Sequence, residues 1–208
     1  MKKIMFSREY GLEQAVLERT KTKTRRVAVL PDGLGRGDLW NPVMGIDERG
    51  KVYFTVDCID GKQRDLYPAY QIGEVLAVAQ CYSEIRDELN AMQRCMISPW
   101  GSPKEHPGWT NKMFVRADLM PHQIRITDVG IEPLQDITDE DCRREGIMEG
   151  EFMNTWDRFY YDHWGDVPNH ITFRTPRQAF ASLIDKTCGK GTWQCNPWTW
   201  KYEFELIR

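Results

Sequence analysis

A short basic segment near the N-terminus contains the residues best suited to chemistry. Its six positions, Lys21-Thr22-Lys23-Thr24-Arg25-Arg26, carry four cations and two hydroxyl groups. Such cations can hold an anion, and a threonine hydroxyl beside a lysine amine can become a nucleophile if the amine is neutral. Short basic runs also occur on ordinary solvated surfaces. An anion site, a nucleophilic site and a solvated face are therefore all open interpretations of this segment.

The overall composition restricts the classes of protein to which the chain can belong. Its 208 residues can form one substantial core, and 41% apolar with 28% charged residues is typical of a globular protein. The formal net charge of -3 argues against a surface that is basic throughout, so an anion site must be local. No apolar stretch is long enough to span a bilayer, and no signal core follows the N-terminus. We therefore expect a cytoplasmic protein that does not enter a membrane.

Cysteine and histidine residues are dispersed along the chain. The six cysteines include no CxxC pair, and the four histidines form no cluster in the sequence. The pattern indicates neither a zinc site nor a disulfide framework. We therefore expect no metal and no cofactor.

Several elements of the first half can be predicted from periodicity. Residues 8–19 have the apolar spacing of an amphipathic helix that would deliver Lys21 at its C-terminal end. Glycine and proline are dense between residues 31 and 50, which predicts a loop. Residues 51–57 alternate as a strand, and Asp60-Gly61 is typical of a hairpin turn. The apolar run at residues 75–81 predicts a strand inside a sheet.

The second half carries clearer helix and strand signals. Residues 124–134 alternate with one slip, which predicts a strand with a β-bulge. Capping patterns open one helix at Thr138, with Glu145 in its last turn, and another at Thr175-Pro176. The aromatics of residues 151–164 have helical spacing and are more typical of a core than of a base-stacking surface. Residues 198–207 alternate as the final strand. These elements favour an α+β fold whose mixed or antiparallel sheet closes as a small barrel.

Four motifs, in order along nearly the whole chain, resemble the ASCH superfamily and especially its longer members, common in phages and prophages. The resemblance implies a PUA-like β-barrel with flanking helices, a fold that binds RNA or nucleosides in relatives. It covers residues 1–208 as one domain, with variable insertions at 31–69, 83–113 and 148–174. The motifs are Lys21-Thr22-x-Thr24-Arg25-Arg26, Gly73-Glu74-x-Leu76, Leu134-Gln135-Asp136-Ile137-Thr138 with Glu145-Gly146-Ile147, and Asn196-Pro197-Trp198-x-Trp200-x-x-Glu203-Phe204.

The resemblance also implies catalytic residues. One small bacterial branch of the superfamily hydrolyses the acetyl amide of acetylcytidine with a lysine, a threonine and a glutamate, which match Lys21, Thr24 and Glu145 here. Amide hydrolysis needs an activated nucleophile and a proton donor for the departing amine. Thr24 would attack, Lys21 would accept its proton, and Glu145 would protonate the leaving nitrogen or orient the lysine.

The remaining cations of the segment are candidates for substrate binding. Lys23, Arg25 and Arg26 could contact phosphate, and Arg26 could also stabilise an oxyanion. Each residue has a simpler alternative role, because a salt bridge between the segment and Glu145 would be purely structural. Thr24 could likewise satisfy a turn through its hydroxyl.

The chain departs from the ASCH pattern at two places. Arg19 stands where relatives usually have a glycine that ends the first helix. In the strand after Leu76, relatives tend to have a tryptophan, an arginine and a glutamate, whereas this chain has Ala77-Val78-Ala79-Gln80. We therefore expect an altered site or a lost ion pair at this strand.

Three function hypotheses follow from the sequence. The first is a module that binds RNA or a modified nucleoside in a cleft lined by the basic segment and Glu145. The second is an enzyme, either an amidohydrolase that deacylates an N-acylated base or nucleoside, or a nuclease. The third is a phage-encoded protein that contacts a host partner through the aromatics of residues 156–164.

Overall fold

The largest sheet contains residues of three of the four motifs, whereas the motif at residues 134–138 and 145–147 lies outside it. The computed structural model describes residues 1–31, 34–87, 106–150, 158–161 and 171–207. The strands of the largest sheet, in spatial order, are β1 (Lys2–Ile4), β6 (Val75–Val78), β7 (Gln123–Pro133), β10 (Trp198–Leu206) and β2 (Lys23–Val27). In this sheet β1 and β6 are parallel and the other neighbours are antiparallel.

Two smaller sheets accompany the large one. An antiparallel sheet has the order β3 (Leu39–Ile46), β4 (Val52–Cys58) and β5 (Gln63–Leu66). A short antiparallel pair joins β8 (Met148–Glu149) to β9 (Phe159–Tyr160). The described strands thus form three separate hydrogen-bonded sheets, with no closed barrel among them. The mixed α+β class is confirmed.

The α-helices lie mainly in the second half of the described chain. They are α1 (Leu12–Leu17), α2 (Asp139–Arg144), α3 (Pro176–Cys188) and α4 (Thr192–Cys195). Both predicted capping residues are confirmed: Thr138 Oγ1 accepts from Asp141 N at 3.1 Å, and Thr175 Oγ1 accepts from Gln178 N at 3.2 Å. Within the described ranges, no helix is long and apolar enough to cross a membrane.

One cluster of buried apolar side chains joins the large sheet to the three-stranded sheet. The rings of Phe54 on β4 and Trp200 on β10 lie 5.8 Å apart between their centroids, and Ile126 and Phe204 are buried in the same cluster. α3 adds Phe180 from one side. The core therefore fixes β10 and its neighbour β2 in place.

Strand β3 corrects the prediction of a loop at residues 31–50. Pro42 and Gly45 lie within it, on an edge of the sheet where such residues are tolerated. The pairing with β4 is irregular between Trp40 and Val43, next to Asn41 at φ 50°. A Cβ on Gly45 would lie 2.5 Å from a Tyr53 ring atom, so close approach explains this glycine.

Other predicted elements match more closely. The bulge in β7 is confirmed, since Glu203 pairs with Asp128 and Phe204 with Ile126, leaving Thr127 unpaired. The helical spacing of the aromatics at residues 151–164 does not correspond to a helix where the structure describes this segment, because Phe159–Tyr160 is strand β9. Residues 151–157 and 162–164 lie outside the described ranges.

Candidate functional site

Strand β2 carries most of the basic segment and divides it between two faces. Successive side chains of a strand point in opposite directions, so Lys23 and Arg25 share one face while Thr24 and Arg26 share the other. The neighbouring strand places Lys201 opposite Arg25. The segment is therefore not one continuous basic patch, and its two faces meet different partners.

Lys21 lies just before β2, and its amine is enclosed by oxygen atoms. The residue is only 2% exposed. Its Nζ donates to Glu145 Oε2, to the Glu145 carbonyl and to the Lys23 carbonyl, each at 2.7 Å. Glu145 reaches this position because it caps the C-terminus of α2 directly before Gly146 at φ 103°. A Cβ on Gly146 would lie 3.2 Å from Leu12, so the turn favours glycine on both counts.

The protonation state of Lys21 is set by opposing effects. Burial lowers its pKa, Glu145 raises it, and the nearby Arg26 and Arg25 lower it further. All three partners of Nζ are acceptor oxygens, so the amine needs three hydrogens to satisfy them. The observed arrangement therefore fits the ammonium form. To act as a base, Lys21 would have to give up one of these hydrogen bonds.

Lys23 and Arg25, both predicted to bind substrate, are occupied by carboxylates in the structure. Lys23 Nζ lies 2.5 Å from Asp141 Oδ1 and 2.8 Å from Glu203 Oε1. The Arg25 side chain is 0% exposed and pairs with Glu132, with Asp141 at 2.7 Å and with Glu145 at 3.1 Å. Arg144 and Lys201 extend the network through Glu203 and Glu132. This face of β2 is therefore internally neutralised.

A cleft of about 920 Å³ opens beside the other face of β2. The N-terminal segment, β2, α3 and the turn that follows α3 form its walls. Lys21, Thr24, Arg25, Arg26 and Glu145 all contribute to the lining, whereas Lys23 does not. The remaining lining residues are Met5, Phe6, Ser7, Arg8, Glu9, Leu12, Val27, Lys112, Phe180, Leu183, Ile184, Thr187, Cys188, Lys190, Gly191, Thr192, Cys195 and Pro197.

Thr24 presents an unengaged hydroxyl to this cleft. The residue is buried, yet among the described residues its side chain makes no hydrogen bond, and it has no contact with the Lys21 amine of that kind. A threonine that satisfied a turn would show such a bond. The hydroxyl is therefore available to a ligand, although the structure shows no direct proton path from it to Lys21.

Arg26 occupies the same wall two residues further along β2. Its Nη2 donates to the Met5 carbonyl at 2.5 Å, and its guanidinium carbon lies 5.7 Å from the centre of the Phe6 ring. Its Nε is buried and has no partner in the described part of the chain. The guanidinium is thus held in place with a donor left unused.

A second ion pair on the cleft was not identified from the sequence. Lys112 pairs with the buried Glu13, whose carboxylate also accepts from Gln80 Nε2 at 3.2 Å. Lys112 Nζ also donates to the Phe6 carbonyl at 3.2 Å. Burial and the nearby Arg8 lower the pKa of Lys112 to about 8, an effect that its contact with Glu13 opposes. The sequence feature that could have indicated this ion pair is Glu13, an acidic residue beside the apolar face of the predicted first helix.

The departures from the ASCH pattern have local physical explanations. Arg19 has φ 64°, so it adopts the left-handed conformation that glycine adopts most easily. Ala77 and Ala79 lie in a separate buried cluster with Val115 and Met120, where small side chains leave room for the returning chain. The altered strand thus supports the segment that carries Lys112.

The third function hypothesis gains no support from the described residues. Phe159 and Tyr161 are buried, as a core role predicts. The remaining aromatics of residues 156–164, apart from the partly exposed Tyr160, lie outside the described ranges.

Among the residues that the structure describes, no group of three or more His, Cys, Asp or Glu side chains could hold a metal ion.

No protein-family model, curated protein or solved structure gives a significant match to this chain.

Proposed function

We propose that this chain is an ASCH-type protein with a PUA-like fold, and that it binds RNA or a modified nucleoside in the cleft beside β2. The observation that supports this most directly is convergence. Lys21 and Glu145 are 124 residues apart in sequence and are joined at 2.7 Å, and with Thr24 they line one cleft. A cytoplasmic location, where such ligands occur, is part of the proposal.

The character of the cleft suits a nucleoside. Its volume of about 920 Å³ lies within the range of small-molecule sites. Phe6, Leu183 and Ile184 give it an apolar wall against which a base can pack, and the Thr24 hydroxyl can hydrogen-bond a base edge or a ribose. Few polar groups placed on an apolar surface are the usual composition of such a site.

Obstruction of the cleft tests the binding proposal. Cys188 is exposed and lines the cleft, so Cys188→Trp would place an indole in it. Met113 is exposed and does not line the cleft, so Met113→Trp is a matched control. We expect the parent and Met113→Trp to bind members of a panel of ribonucleosides and short RNAs in equilibrium titrations, and Cys188→Trp to lose that binding. Absence of binding by the parent to the whole panel would refute the proposal.

An amidohydrolase is the second candidate, because the free Thr24 hydroxyl lies on the same wall as the Lys21–Glu145 pair. Lys21 would first release a proton and then accept the one from Thr24 as Oγ1 attacks the acyl carbonyl carbon. The C–N bond would break as the leaving nitrogen takes that proton from Lys21. Water would then hydrolyse the threonine ester, which releases the acid and restores the Thr24 hydroxyl.

Thr24→Val provides a clean test of this chemistry. It removes the hydroxyl with little change of shape, and no hydrogen bond of the described residues is lost with it. We expect the parent and Thr24→Ser to release acid from N-acylated cytidines and adenosines, followed by chromatography, and Thr24→Val to release none. Equal release by Thr24→Val would exclude Thr24 as the nucleophile, and inactivity of the parent would leave the cleft as a binding site.

A further inference from the structure

Most cations that line the cleft are already compensated by carboxylates. A compensated cation contributes little to the attraction of an anionic ligand, because its field is largely cancelled nearby. The pairs are Lys21 with Glu145, Lys112 with Glu13, Arg8 with Glu84, and Arg25 with Glu132, Asp141 and Glu145.

Arg26 and Lys190 differ from these residues. Neither has a carboxylate partner among the described residues, and both line the cleft. Lys190 is exposed at the turn after α3, while Arg26 is partly buried in the opposite wall. Glu9, also exposed, is the acidic lining residue that has no basic partner among the described residues. The uncompensated charge of the described lining is therefore net positive.

The guanidinium of Arg26 is held in one orientation. The Met5 carbonyl accepts from Nη2 at 2.5 Å and the Phe6 ring packs against the plane, which limits rotation. Nε is shielded from solvent, whereas Nη1 is accessible and makes no hydrogen bond in the described chain. The Nη1 donors can therefore bind an oxygen of a ligand.

The position of Arg26 relative to Thr24 gives the ligand a direction. The two side chains lie on the same face of β2, two residues apart, which corresponds to about 7 Å along a strand. A polar group at Thr24 and an anionic group at Arg26 would therefore belong to different parts of one small molecule.

We infer that the ligand carries a phosphate group, which Arg26 binds from the cleft wall with Lys190 at the rim. This inference rests on the proposed function and narrows it, since a neutral nucleoside would leave Arg26 without its counterion. The phosphate monoester of a nucleotide and the phosphodiester of RNA share the required chemistry. Arginine suits both, because its planar donors match phosphate oxygens.

Isothermal titration of the full chain with matched ligands tests the inference. The probes are the common ribonucleosides, their 5′-monophosphates and short RNA oligonucleotides of the same bases. We expect phosphorylated ligands to bind roughly 10- to 100-fold tighter than the nucleosides, as a charge-assisted hydrogen bond implies. Tight binding of monophosphates alone would indicate a nucleotide, and tight binding of oligonucleotides would indicate RNA.

Variants assign the effect to Arg26. Arg26→Gln should remove most of the phosphate advantage, which is the ratio of the affinity for a monophosphate to the affinity for its nucleoside. The slope of the logarithm of affinity against the logarithm of salt concentration should fall by about one. Arg125→Gln is the matched control, since Arg125 is exposed, pairs with Glu205 and does not line the cleft. If Arg26→Gln does not fold, Arg26→Lys and Lys190→Gln should each lower the ratio of monophosphate affinity to nucleoside affinity.

Two negative results have different meanings. Equal affinity of the parent for nucleosides and their monophosphates would overturn the phosphate inference and leave nucleoside binding intact. No binding of any probe would overturn the proposed function together with it. A phosphate advantage that persists in Arg26→Gln, or in both fallback variants, would also overturn the assignment to this arginine.

Discussion

Glu145 accepts hydrogen bonds from two buried cations, from Lys21 through Oε2 at 2.7 Å and from Arg25 through Oε1 at 3.1 Å. These three groups have given up most of their hydration, so each depends on the others for compensation. An exposed ion pair retains water and depends much less on its partner. Removing one partner of an ion pair therefore lowers the free energy of unfolding more when the pair is buried than when it is exposed.

Glu145→Gln should show this difference. The substitution keeps the shape of the side chain but leaves Lys21 and Arg25 with less compensation, so we expect the free energy of unfolding to fall by about 3 kcal/mol. Glu205→Gln, in the exposed pair with Arg125 at 3.2 Å, should lower it by less than about 1 kcal/mol. Urea denaturation of both variants gives the comparison. A similarly small loss of unfolding free energy in both variants would mean that the buried network does not depend on Glu145 for its stability.

At the same scale, residue types and spacing suggested candidate site residues but not the partners that each of them contacts. The cation-rich segment, Thr24 and Glu145 were selected from their types and spacing. Strand alternation separates Lys23 and Arg25 from Thr24 and Arg26, but the segment was treated as one basic run. The carboxylates at 132, 141 and 203 are distant in sequence and become partners only through the sheet and α2.

Among the elements, those with a local chemical signal were predicted best. α2 and α3 begin at threonines whose hydroxyls cap them, and the bulge of β7 appears in the sequence as a slipped alternation. β3 was missed because it lies on a sheet edge, where proline and glycine do not prevent pairing. Its exposed apolar side chains also give no inside-outside alternation.

The end of α1 offers a test at the scale of an element. Arg19 has φ 64°, its side chain is exposed, and it makes no side-chain hydrogen bond in the described structure. A non-glycine residue in this conformation costs about 1–2 kcal/mol, and glycine loses about 0.5–1 kcal/mol of that gain through entropy. We therefore expect Arg19→Gly to raise the free energy of unfolding by up to about 1 kcal/mol.

The neighbouring residue supplies the control for this prediction. Glu18 has φ -81°, an ordinary right-handed conformation, so Glu18→Gly should lower the free energy of unfolding by about 1 kcal/mol. Chemical denaturation of the two variants under identical conditions compares the signs. A loss of stability in both would show that the left-handed turn before Lys21 is not strained.

On the scale of the whole molecule, one ionic network connects four elements. Lys23 and Arg25 on β2 meet carboxylates from β7, from α2 and from β10, and Arg144 links α2 to β10 through Glu203. The apolar core lies on the other side of the same sheet and brings these strands together. Sequence patterns predicted β6, β7 and β10 but not β1 or β2. The spatial order of these strands depends on long-range packing, which periodicity does not encode.

This network should make the stability of the whole fold sensitive to acid. Burial alone would raise the pKa of Asp141, but hydrogen bonds from Lys23 and Arg25 outweigh it and hold the pKa below its ordinary value. Hydrogen bonds from Arg144 and Lys23 likewise outweigh burial and lower the pKa of Glu203. A carboxylate whose pKa is depressed by folding stabilises the protein above its unfolded pKa, and that stability is lost as the pH falls through the folded pKa.

We therefore expect the free energy of unfolding, measured by urea denaturation across pH, to decline below about pH 4. The decline can reach about 1.4 kcal/mol per pH unit for each such carboxylate. Asp141→Asn removes one titrating group, so its curve should start lower at neutral pH and decline less steeply in acid. Asp118→Asn, in an exposed pair with Arg116, should keep the parental slope. An unchanged acid slope in Asp141→Asn would mean that the acid sensitivity arises outside the β2 network.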